Sequence, residues 1–214
     1  NLATLTGSGN AYTVTISEGS TATIAQLITI NAATTGAITL STETIAANYS
    51  DTVANLTSAF AGITTHTGTL TATGTAPTVA QANVLDAVTA GVLTATVQDD
   101  ATTLATLTGT GNAYTITLDN DDAATIAELV TINAATTGAI TLNALTIAAN
   151  LSGTAANLAA AFTGITTHTG TLTITDGVAA TIAELITINA ATDDTVTLNT
   201  ATIQANYSDT VANL

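Results

Sequence analysis

Short segments in which apolar residues alternate with threonine or another polar residue recur along the whole chain. Alternation of this kind, with β-branched residues in between, is typical of strands that bury one face. Eight strands are predicted, at residues 12–16, 38–40, 70–72, 93–97, 114–118, 140–142, 172–174 and 196–198. Their regular recurrence indicates one structural unit used many times.

A second pattern lies between these strands and indicates helices. Two segments carry apolar residues at spacings of three and seven positions, which is the buried stripe of an amphipathic helix. The stripes are Val53, Leu56 and Phe60, and Ala155, Leu158 and Phe162. Asp51 or Ser50 is expected to cap the first helix. The segment TIAQLITINAAT at Thr23 fits a helix or a strand, and we interpret it as a helix.

The chain repeats itself at an offset of 102 residues, since LATLTGSGNAYTVT at Leu2 returns as LATLTGTGNAYTIT at Leu104. Inside this super-repeat lie related units of roughly 50 residues, and each unit divides into two half-units of about 26 residues. The units open with TIAQ, TVAQ, TIAE and TIAE at Thr23, Thr78, Thr125 and Thr181. We therefore interpret residues 1–214 as a single repeat array.

A strand, a turn, a short helix and a return within about 26 residues predict an α/β solenoid. We expect about eight coils, with a parallel sheet on one side and short helices on the other. The high threonine content leaves an all-β solenoid as the alternative. The final residues, YSDTVANL from Tyr207, stop at the position of the repeat at which Asn1 and Leu2 begin. We therefore expect the chain to be a segment of a longer array.

The units TATIAQLITINAATTGAITL at Thr21 and SDTVANL at Ser50 carry a resemblance to a known group of sequences. They resemble the Ala/Thr/Asp-rich repeat arrays of giant extracellular surface proteins from cyanobacteria and other bacteria. The resemblance covers essentially the whole chain. It implies a secreted or cell-surface location and a role in sheaths, fibrils, surface layers or adhesion.

Charge and composition exclude several classes of partner. The chain has no lysine or arginine and fifteen carboxylates, for a formal net charge of −15. Nucleic acids and anionic membrane surfaces are bound through basic side chains, so neither is an expected partner. With no run of 18 apolar residues, membrane insertion is not expected. The absence of cysteine excludes disulfides and thiolate metal sites.

His66 and His168 occupy the same slot, ITTHTGT, and are the natural candidates for metal binding or acid–base chemistry. Four stacked coils would separate them by roughly 19 Å, which is too far to share an ion or a proton. Neither histidine has a recurring serine or aspartate partner of the kind a catalytic triad needs. We therefore expect a structural role for both, no catalytic residues and no enzyme activity.

The carboxylates point to one possible cofactor, calcium, which prefers several oxygen ligands. The densest group is Asp119, Asn120, Asp121 and Asp122. The matching residues 17–20 of the first copy read Ser-Glu-Gly-Ser, so the group is not repeated, and further pairs stand at residues 99–100 and 193–194. The predicted metal ligands are Asp119, Asp121 and Asp122, and the alternative is solvated, helix-capping carboxylates.

Asparagine recurs at two kinds of position. Four residues begin N-x-Ser or N-x-Thr triplets that could accept glycans, namely Asn48, Asn55, Asn150 and Asn206. Asn31, Asn133 and Asn189 occupy one repeated position and are expected to form a side-chain ladder, with each amide bonding the next coil.

Three functional hypotheses follow. The first is a structural extracellular repeat protein that forms a filament, sheath or fibril by self-association with identical repeats. The second is a calcium-dependent surface-layer or adhesin-stalk module in which divalent cations bridge carboxylates. The third and weakest is a polysaccharide hydrolase, for which Asp99 and Asp122 would be the paired carboxylates.

Overall fold

A computed structural model describes residues 4–5, 7–119 and 121–208, and strands and helices alternate through most of this span. The strands are β1 Val14–Thr15, β2 Ile38–Thr39, β3 Tyr49–Thr52, β4 Leu70–Thr73, β5 Leu93–Asp99, β6 Ala113–Leu118, β7 Ile140–Thr141, β8 Leu151–Gly153, β9 Leu172–Ile174 and β10 Val196–Thr197. The helices are α1 Ile24–Ala33, α2 Thr42–Ala46, α3 Val53–Phe60, α4 Val79–Asp86, α5 Ala101–Leu104, α6 Ile126–Ala135, α7 Ala144–Ala148, α8 Ala155–Phe162, α9 Ile182–Ala191 and α10 Thr200–Gln204.

The chain divides into two compact units. The first comprises Asn1–Val97 with Gly111–Thr115, and the second comprises Gln98–Thr110 with Ile116–Leu214. In the first unit β1 pairs with β2, and β3, β4 and β5 pair in order. In the second unit β6 pairs with β7, and β8, β9 and β10 pair in order. All these pairs are parallel, which requires a crossover connection, and a helix supplies each one.

Each helix begins where a polar side chain satisfies the free N–H groups of its first turn. The threonines at 23, 78, 125 and 181 each form a capping box with the Gln or Glu three positions later. The cap of α3 is Thr52, so the expectation of Asp51 or Ser50 was wrong. Thr52 has the extended backbone that the N-cap position needs, while Asp51 accepts hydrogen bonds from the Thr52 N–H and the Asn55 amide.

Leucine, isoleucine and valine from the strands meet the buried stripes of the helices in the core of each unit. Leu56, Leu70 and Leu93 are fully buried in the first unit, and Leu158 and Leu172 in the second. Both predicted helical stripes are buried, including the two phenylalanines at their ends. The longer helices also contact each other, α1 with α3 and α3 with α4, then α6 with α8 and α8 with α9.

The structure confirms the predicted α/β class, with parallel strands and intervening helices, and the all-β alternative was wrong. Each of the eight predicted strands overlaps an observed one. The described residues hold two further strands, β3 and β8, so they contain ten strands where the sequence predicted eight. Tyr49–Thr52 and Leu151–Gly153 were missed because their sequences, YSDT and LSG, lack an apolar–polar alternation.

The spacing of paired strands is shorter than the predicted 26 residues. Register partners stand about 21 to 24 residues apart, as in Tyr49 with Leu70 and Val14 with Ile38. The short helices α2 and α7 lie in the brief segments that join β2 to β3 and β7 to β8. When each short link is counted as part of a neighbouring coil, the mean number of residues per coil becomes larger than the interval between paired strands.

Candidate functional site in the acidic depression and the repeated contacts

An open depression in the second unit is lined by four carboxylates, of which Asp121 and Asp122 are two of the three predicted metal ligands. It lies where α5 contacts α6, and the side chains around it include Asp100, Thr102, Asp121, Asp122 and Glu128. Asp100 is the N-cap of α5, and Glu128 belongs to the first turn of α6. The carboxylates that cap two neighbouring helices therefore place negative charge along one wall of the depression.

Asp100 and Glu128 both accept hydrogen bonds from helix N-termini. Asp100 accepts from the Thr103 N–H at 2.7 Å, and this bond lowers the pKa of its carboxyl. Glu128 accepts from the Thr125 N–H at 2.9 Å, which is the main reason its pKa is lowered too. It also accepts from the Thr102 hydroxyl at 2.8 Å, which ties α6 to α5. Both groups are therefore ionised carboxylates with structural partners.

The predicted calcium ligands separate into two environments. Asp121 and Asp122 are exposed and line the depression. Asp119 is half-buried, and its carboxylate accepts from the Gln98 amide at 2.6 Å. The main-chain carbonyls of Asp119 and Asp122 accept from the Asn143 amide, so they hold the turn before α6.

Among residues 4–5, 7–119 and 121–208, no three His, Asp or Glu side chains are grouped so that they could hold a metal ion. Asn120, the remaining member of the predicted group, lies outside the described residues. Calcium binding by Asp119, Asp121 and Asp122 therefore stays a prediction. Asp122 lines the depression, whereas the proposed hydrolase partner Asp99 does not, and the Asp99 carbonyl accepts the Asp119 N–H at 2.9 Å.

Sequence reasoning missed Asp100 and Glu128 as members of this surface. A signal for Glu128 was present, because Thr125 and Glu128 have the three-residue spacing of a capping box. Asp100 stands just before a helix, which is the position where aspartate is favoured as an N-cap. What the sequence did not show is that the two caps face one depression, since α5 and α6 start about 25 residues apart.

His66 is fully buried in the first unit and has partners for both ring nitrogens. Nε2 lies 2.9 Å from the Ala47 carbonyl oxygen, and Nδ1 lies 3.0 Å from the Thr89 hydroxyl. The ring packs against Phe60 and Tyr49, with centroid separations of 4.8 and 5.6 Å. Burial lowers the pKa of His66, and the Ala47 carbonyl opposes this more weakly. These contacts support the structural role expected from the sequence.

His168 occupies the same slot in the second unit and is equally buried, against Phe162 at a centroid separation of 5.0 Å. Within the described chain, neither of its ring nitrogens meets the geometry of a hydrogen bond. Burial lowers its pKa, and the nearby main chain of Thr146 and Ala149 opposes the shift. The repeated slot thus holds two histidines with different polar surroundings, both held neutral at pH 7.

The two histidines predict a pH dependence of stability. Their unfolded-state pKa is about 6.5 and their folded-state pKa is lower, so unfolding is coupled to proton uptake in mildly acidic solution. The free energy of unfolding should be highest above pH 6.5 and should fall as the pH drops through the folded-state pKa values. Urea midpoints measured between pH 7.5 and 5.5 should therefore decrease.

The matched variant carries His66→Gln and His168→Gln. Its urea midpoint should depend less on pH in the same window, even if the midpoint itself is lower than that of the unchanged chain. Equal pH dependence of the two proteins would show that the buried imidazoles do not control stability in this range.

A hydrogen bond from asparagine to the end of the helix packed against its own is repeated in both units. The Asn31 amide donates to the carbonyls of Ala59 and Ala61 at 3.3 and 2.8 Å, where α3 ends. The Asn133 amide makes the same pair of bonds at the end of α8, to Ala161 at 3.0 Å and Thr163 at 2.9 Å. These amides do not bond one another as the predicted side-chain ladder requires; each donates instead to main-chain carbonyls 28 and 30 positions further along the chain.

A buried threonine forms a second repeated contact. The hydroxyls of Thr44, Thr146 and Thr202 accept the N–H groups of Ala22, Ala124 and Ala180 at 3.0, 2.8 and 2.9 Å. Each threonine lies in a short helix capped by Ser41, Asn143 or Asn199. All three hydroxyls are buried and paired, as buried polar groups must be for the fold to be stable. The contact joins segments more than 20 residues apart in each copy.

Two of the four asparagines that begin N-x-Ser or N-x-Thr triplets, Asn48 and Asn150, make equivalent hydrogen bonds. The side-chain oxygens of Asn48 and Asn150 accept the N–H groups of Thr69 and Thr171 at 2.9 and 3.0 Å. Both asparagines are exposed, and each bonds the segment that starts the next strand. These hydrogen bonds join the residues before β3 and β8 to those before β4 and β9.

No protein-family model, no curated protein and no solved structure matches the chain. In the described part of the chain, none of the helices has the length and apolar character needed to span a membrane. The features that bear on function are those that recur within the chain, above all the asparagine and threonine contacts between successive elements.

Proposed function

We propose that the chain is a structural module of an extracellular repeat protein, folded as an α/β solenoid, which builds a filament, sheath or fibril by stacking on identical repeats. The observation that carries this proposal is the asparagine contact, in which Asn31 of α1 and Asn133 of α6 bind the C-terminal ends of α3 and α8. Such a contact is specific for a neighbour with the same fold, and so it favours stacking of like on like.

The buried threonine contact supports the same proposal. Because it occurs in three copies with hydrogen bonds of 2.8 to 3.0 Å, the packing of one repeat on the next follows a common geometry. In repeat proteins each unit buries its apolar face against its neighbours, and stability grows with the number of interfaces. A protein organised in this way gains from association with further repeats.

The charge of the chain fits a mechanical role better than a catalytic one. Fifteen carboxylates without lysine or arginine leave every repeat negative, so stacking should strengthen as salt screens the repulsion. Asp100 and Glu128 are occupied in capping helices, and His66 and His168 are buried in the core. We therefore assign no catalytic group, and the resemblance to bacterial surface arrays supports an extracellular location.

Sedimentation velocity at increasing protein concentration tests this proposal. We expect association to become tighter as NaCl is raised from roughly 20 to 500 mM, because the added salt screens the repulsion between carboxylates. Electron micrographs should then show filaments or sheets. A chain that stays monomeric at every concentration and salt would contradict a stacking function. Association that is lost on adding a chelator would favour the second candidate instead.

The second candidate is a calcium-dependent surface-layer or adhesin-stalk module, which the exposed Asp121 and Asp122 favour. They line the same depression as the ionised Asp100 and Glu128, which makes this surface negatively charged. No three of its carboxylates are grouped to hold an ion within one described chain, so a bridging cation would need further ligands from a neighbouring module. Calcium prefers carboxylate and carbonyl oxygens, and ions shared between modules would offset their mutual repulsion. In this arrangement the carboxylates would link neighbouring chains.

Calcium binding is expected to be weak and specific to this surface. Isothermal titration in 150 mM NaCl should give a dissociation constant of about 10⁻⁴ to 10⁻³ M, the range of extracellular modules. The double variant Asp121→Asn with Asp122→Asn should lose at least about tenfold in affinity. The matched control, Asp193→Asn with Asp194→Asn, removes the same charge elsewhere and should bind as before. Equal losses would indicate a diffuse counterion effect.

A further inference from the structure

The Asn-x-Ser triplet that begins at Asn48 persists between the internal copies of the chain, whereas the triplet at Asn55 does not. Residues 48–60 read NYSDTVANLTSAF, and the matching residues 150–162 read NLSGTAANLAAAF. The residue inside the first triplet and the residue after it both differ, yet the asparagine and the serine are kept. The second triplet has become Asn-Leu-Ala at Asn157, which lacks the hydroxyl that a glycan acceptor needs.

The fold gives a reason for the asparagine of the first triplet but none for its serine. Asn48 and Asn150 each bond the segment before the next strand. Ser50 and Ser152 are exposed, and their hydroxyls make no hydrogen bond to any residue that the structure describes. Strand formation does not account for serine either, since threonine is the hydroxyl residue enriched in strands.

The asparagine and the serine of this triplet lie on one exposed face of the chain. Strand β3 begins directly after Asn48, and successive side chains of a strand point to opposite faces. Tyr49 points inward and is 8% exposed, while Asn48 and Ser50 on either side of it are exposed. The triplet 150–152 repeats this alternation at β8, where Leu151 is half-buried. The amide and the hydroxyl therefore face solvent together in both copies.

The orientation of each amide leaves its nitrogen accessible. The Asn48 Oδ1 accepts the Thr69 N–H at 2.9 Å, and the Asn150 Oδ1 accepts the Thr171 N–H at 3.0 Å. Within residues 4–5, 7–119 and 121–208, the Nδ2 atoms of these two asparagines have no hydrogen-bond partner. A sugar attached to Nδ2 replaces one of its two hydrogens and leaves Oδ1 unchanged, so the bond to the next segment would survive the modification.

The triplet at Asn55 has the opposite geometry. It lies in the first turn of α3, where the Asn55 Nδ2 donates to the Asp51 carboxylate at 2.8 Å. Side chains two positions apart on a helix do not face each other, so Thr57 cannot lie beside the Asn55 amide. Leu56 between them is 0% exposed and anchors the helix in the core. This triplet becomes extended only when α3 unfolds.

We infer that Asn48 and Asn150 are acceptor sites for an N-linked oligosaccharide and that Asn55 of the folded chain is not. The donor is an oligosaccharide carried on a polyprenyl pyrophosphate, and an oligosaccharyltransferase transfers it. Nδ2 forms a bond to the anomeric carbon and loses one proton. The bond from that carbon to the pyrophosphate oxygen breaks, and the polyprenyl pyrophosphate leaves with the electron pair. The inference does not depend on stacking, and it places one glycan at the same position of each 102-residue super-repeat.

The experiment incubates the folded full chain with a single-subunit oligosaccharyltransferase and its polyprenyl-pyrophosphate donor. We expect a mass increase of two glycans, at Asn48 and Asn150, and modification of Asn55 that is at least about tenfold slower because it requires opening of α3. Cleavage before Asp51 separates the first two acceptor triplets for mass spectrometry. A peptide of residues 44–61 should be modified at both of its triplets. If the peptide is modified but Asn48 and Asn150 of the folded chain are not, the inference is overturned.

Matched variants separate the acceptor geometry from the sequence motif. Ser50→Ala should abolish modification of Asn48 and leave the urea midpoint unchanged, and Ser50→Thr should restore modification. Ala159→Thr recreates the second triplet at Asn157, on the exposed side of α8, and this site should stay unmodified in the folded chain. Modification of Asn157 in this variant, or of Asn55, at the same rate as Asn48 would show that the motif alone selects the acceptor and would contradict the inference.

Discussion

Replacing Gly68 with alanine is expected to destabilise the first unit by about 3 kcal/mol or more, because no space exists for a methyl group. A Cβ atom at this position would lie 2.0 Å from the Ala47 carbonyl oxygen and 2.8 Å from that of Ala46. Both are main-chain atoms, so they cannot turn aside as a flexible side chain could. The paired segments would have to separate, and their hydrogen bonds would be lost with them.

Urea unfolding followed by circular dichroism measures this effect, and the chain supplies its own controls. Gly170→Ala should be equally damaging in the second unit, since its Cβ would lie 2.0 Å from the Ala149 carbonyl oxygen. Gly177 has nothing within 4 Å and no left-handed backbone, so Gly177→Ala should change stability by less than about 0.5 kcal/mol. Similar midpoints for Gly68→Ala and Gly177→Ala would mean that the main chains are not in such close contact.

Truncating Phe60 to alanine is expected to cost about 3 to 5 kcal/mol, as for other fully buried phenylalanines. The side chain is 0% exposed and packs between Tyr49 and His66, with centroid separations of 5.5 and 4.8 Å. Its removal leaves a cavity beside a buried imidazole, so the loss includes packing around His66 as well as transfer of the ring.

The control for this substitution lies on the same helix. Ser58 is exposed, and Ser58→Ala should alter the free energy of unfolding by less than about 0.5 kcal/mol. Phe162→Ala tests the equivalent position in the second unit, where the ring contacts His168. A Phe60→Ala protein that unfolds at the same urea concentration as Ser58→Ala would contradict the buried position of this ring.

Sequence periodicity was sufficient for the long elements because their apolar residues follow a simple rule. Val53, Leu56 and Phe60 form a helical stripe, and Leu93, Ala95 and Val97 alternate along a strand, so local spacing alone identifies them. The short helices α2, α7 and α10 do not follow such a rule. Their buried residue is a threonine that pairs with a main-chain N–H more than 20 positions away, and this partner cannot be read from local spacing.

The candidate site likewise combines contacts that the sequence pattern predicts with contacts that it does not. The repeated position of Asn31 and Asn133 was enough to predict a structural hydrogen bond, because recurrence at a fixed interval indicates a structural contact, but not its acceptors, which are main-chain carbonyls rather than other asparagines. The sequence did not distinguish His66 from His168, since both lie in the same motif. Thr89 pairs with the first ring, and no equivalent pairing occurs for the second within the described residues. Such differences depend on side-chain geometry rather than on residue type.

We propose that these repeats stack as an α/β solenoid whose strands run across the axis of an extended assembly. X-ray diffraction from aligned native material tests it most directly, because parallel strands paired from coil to coil repeat every 4.7 to 4.9 Å (about one strand spacing) along the axis. The account predicts a sharp meridional reflection at about 4.8 Å together with filaments or sheets in electron micrographs. Isolated particles, or a strand reflection on the equator instead, would contradict it.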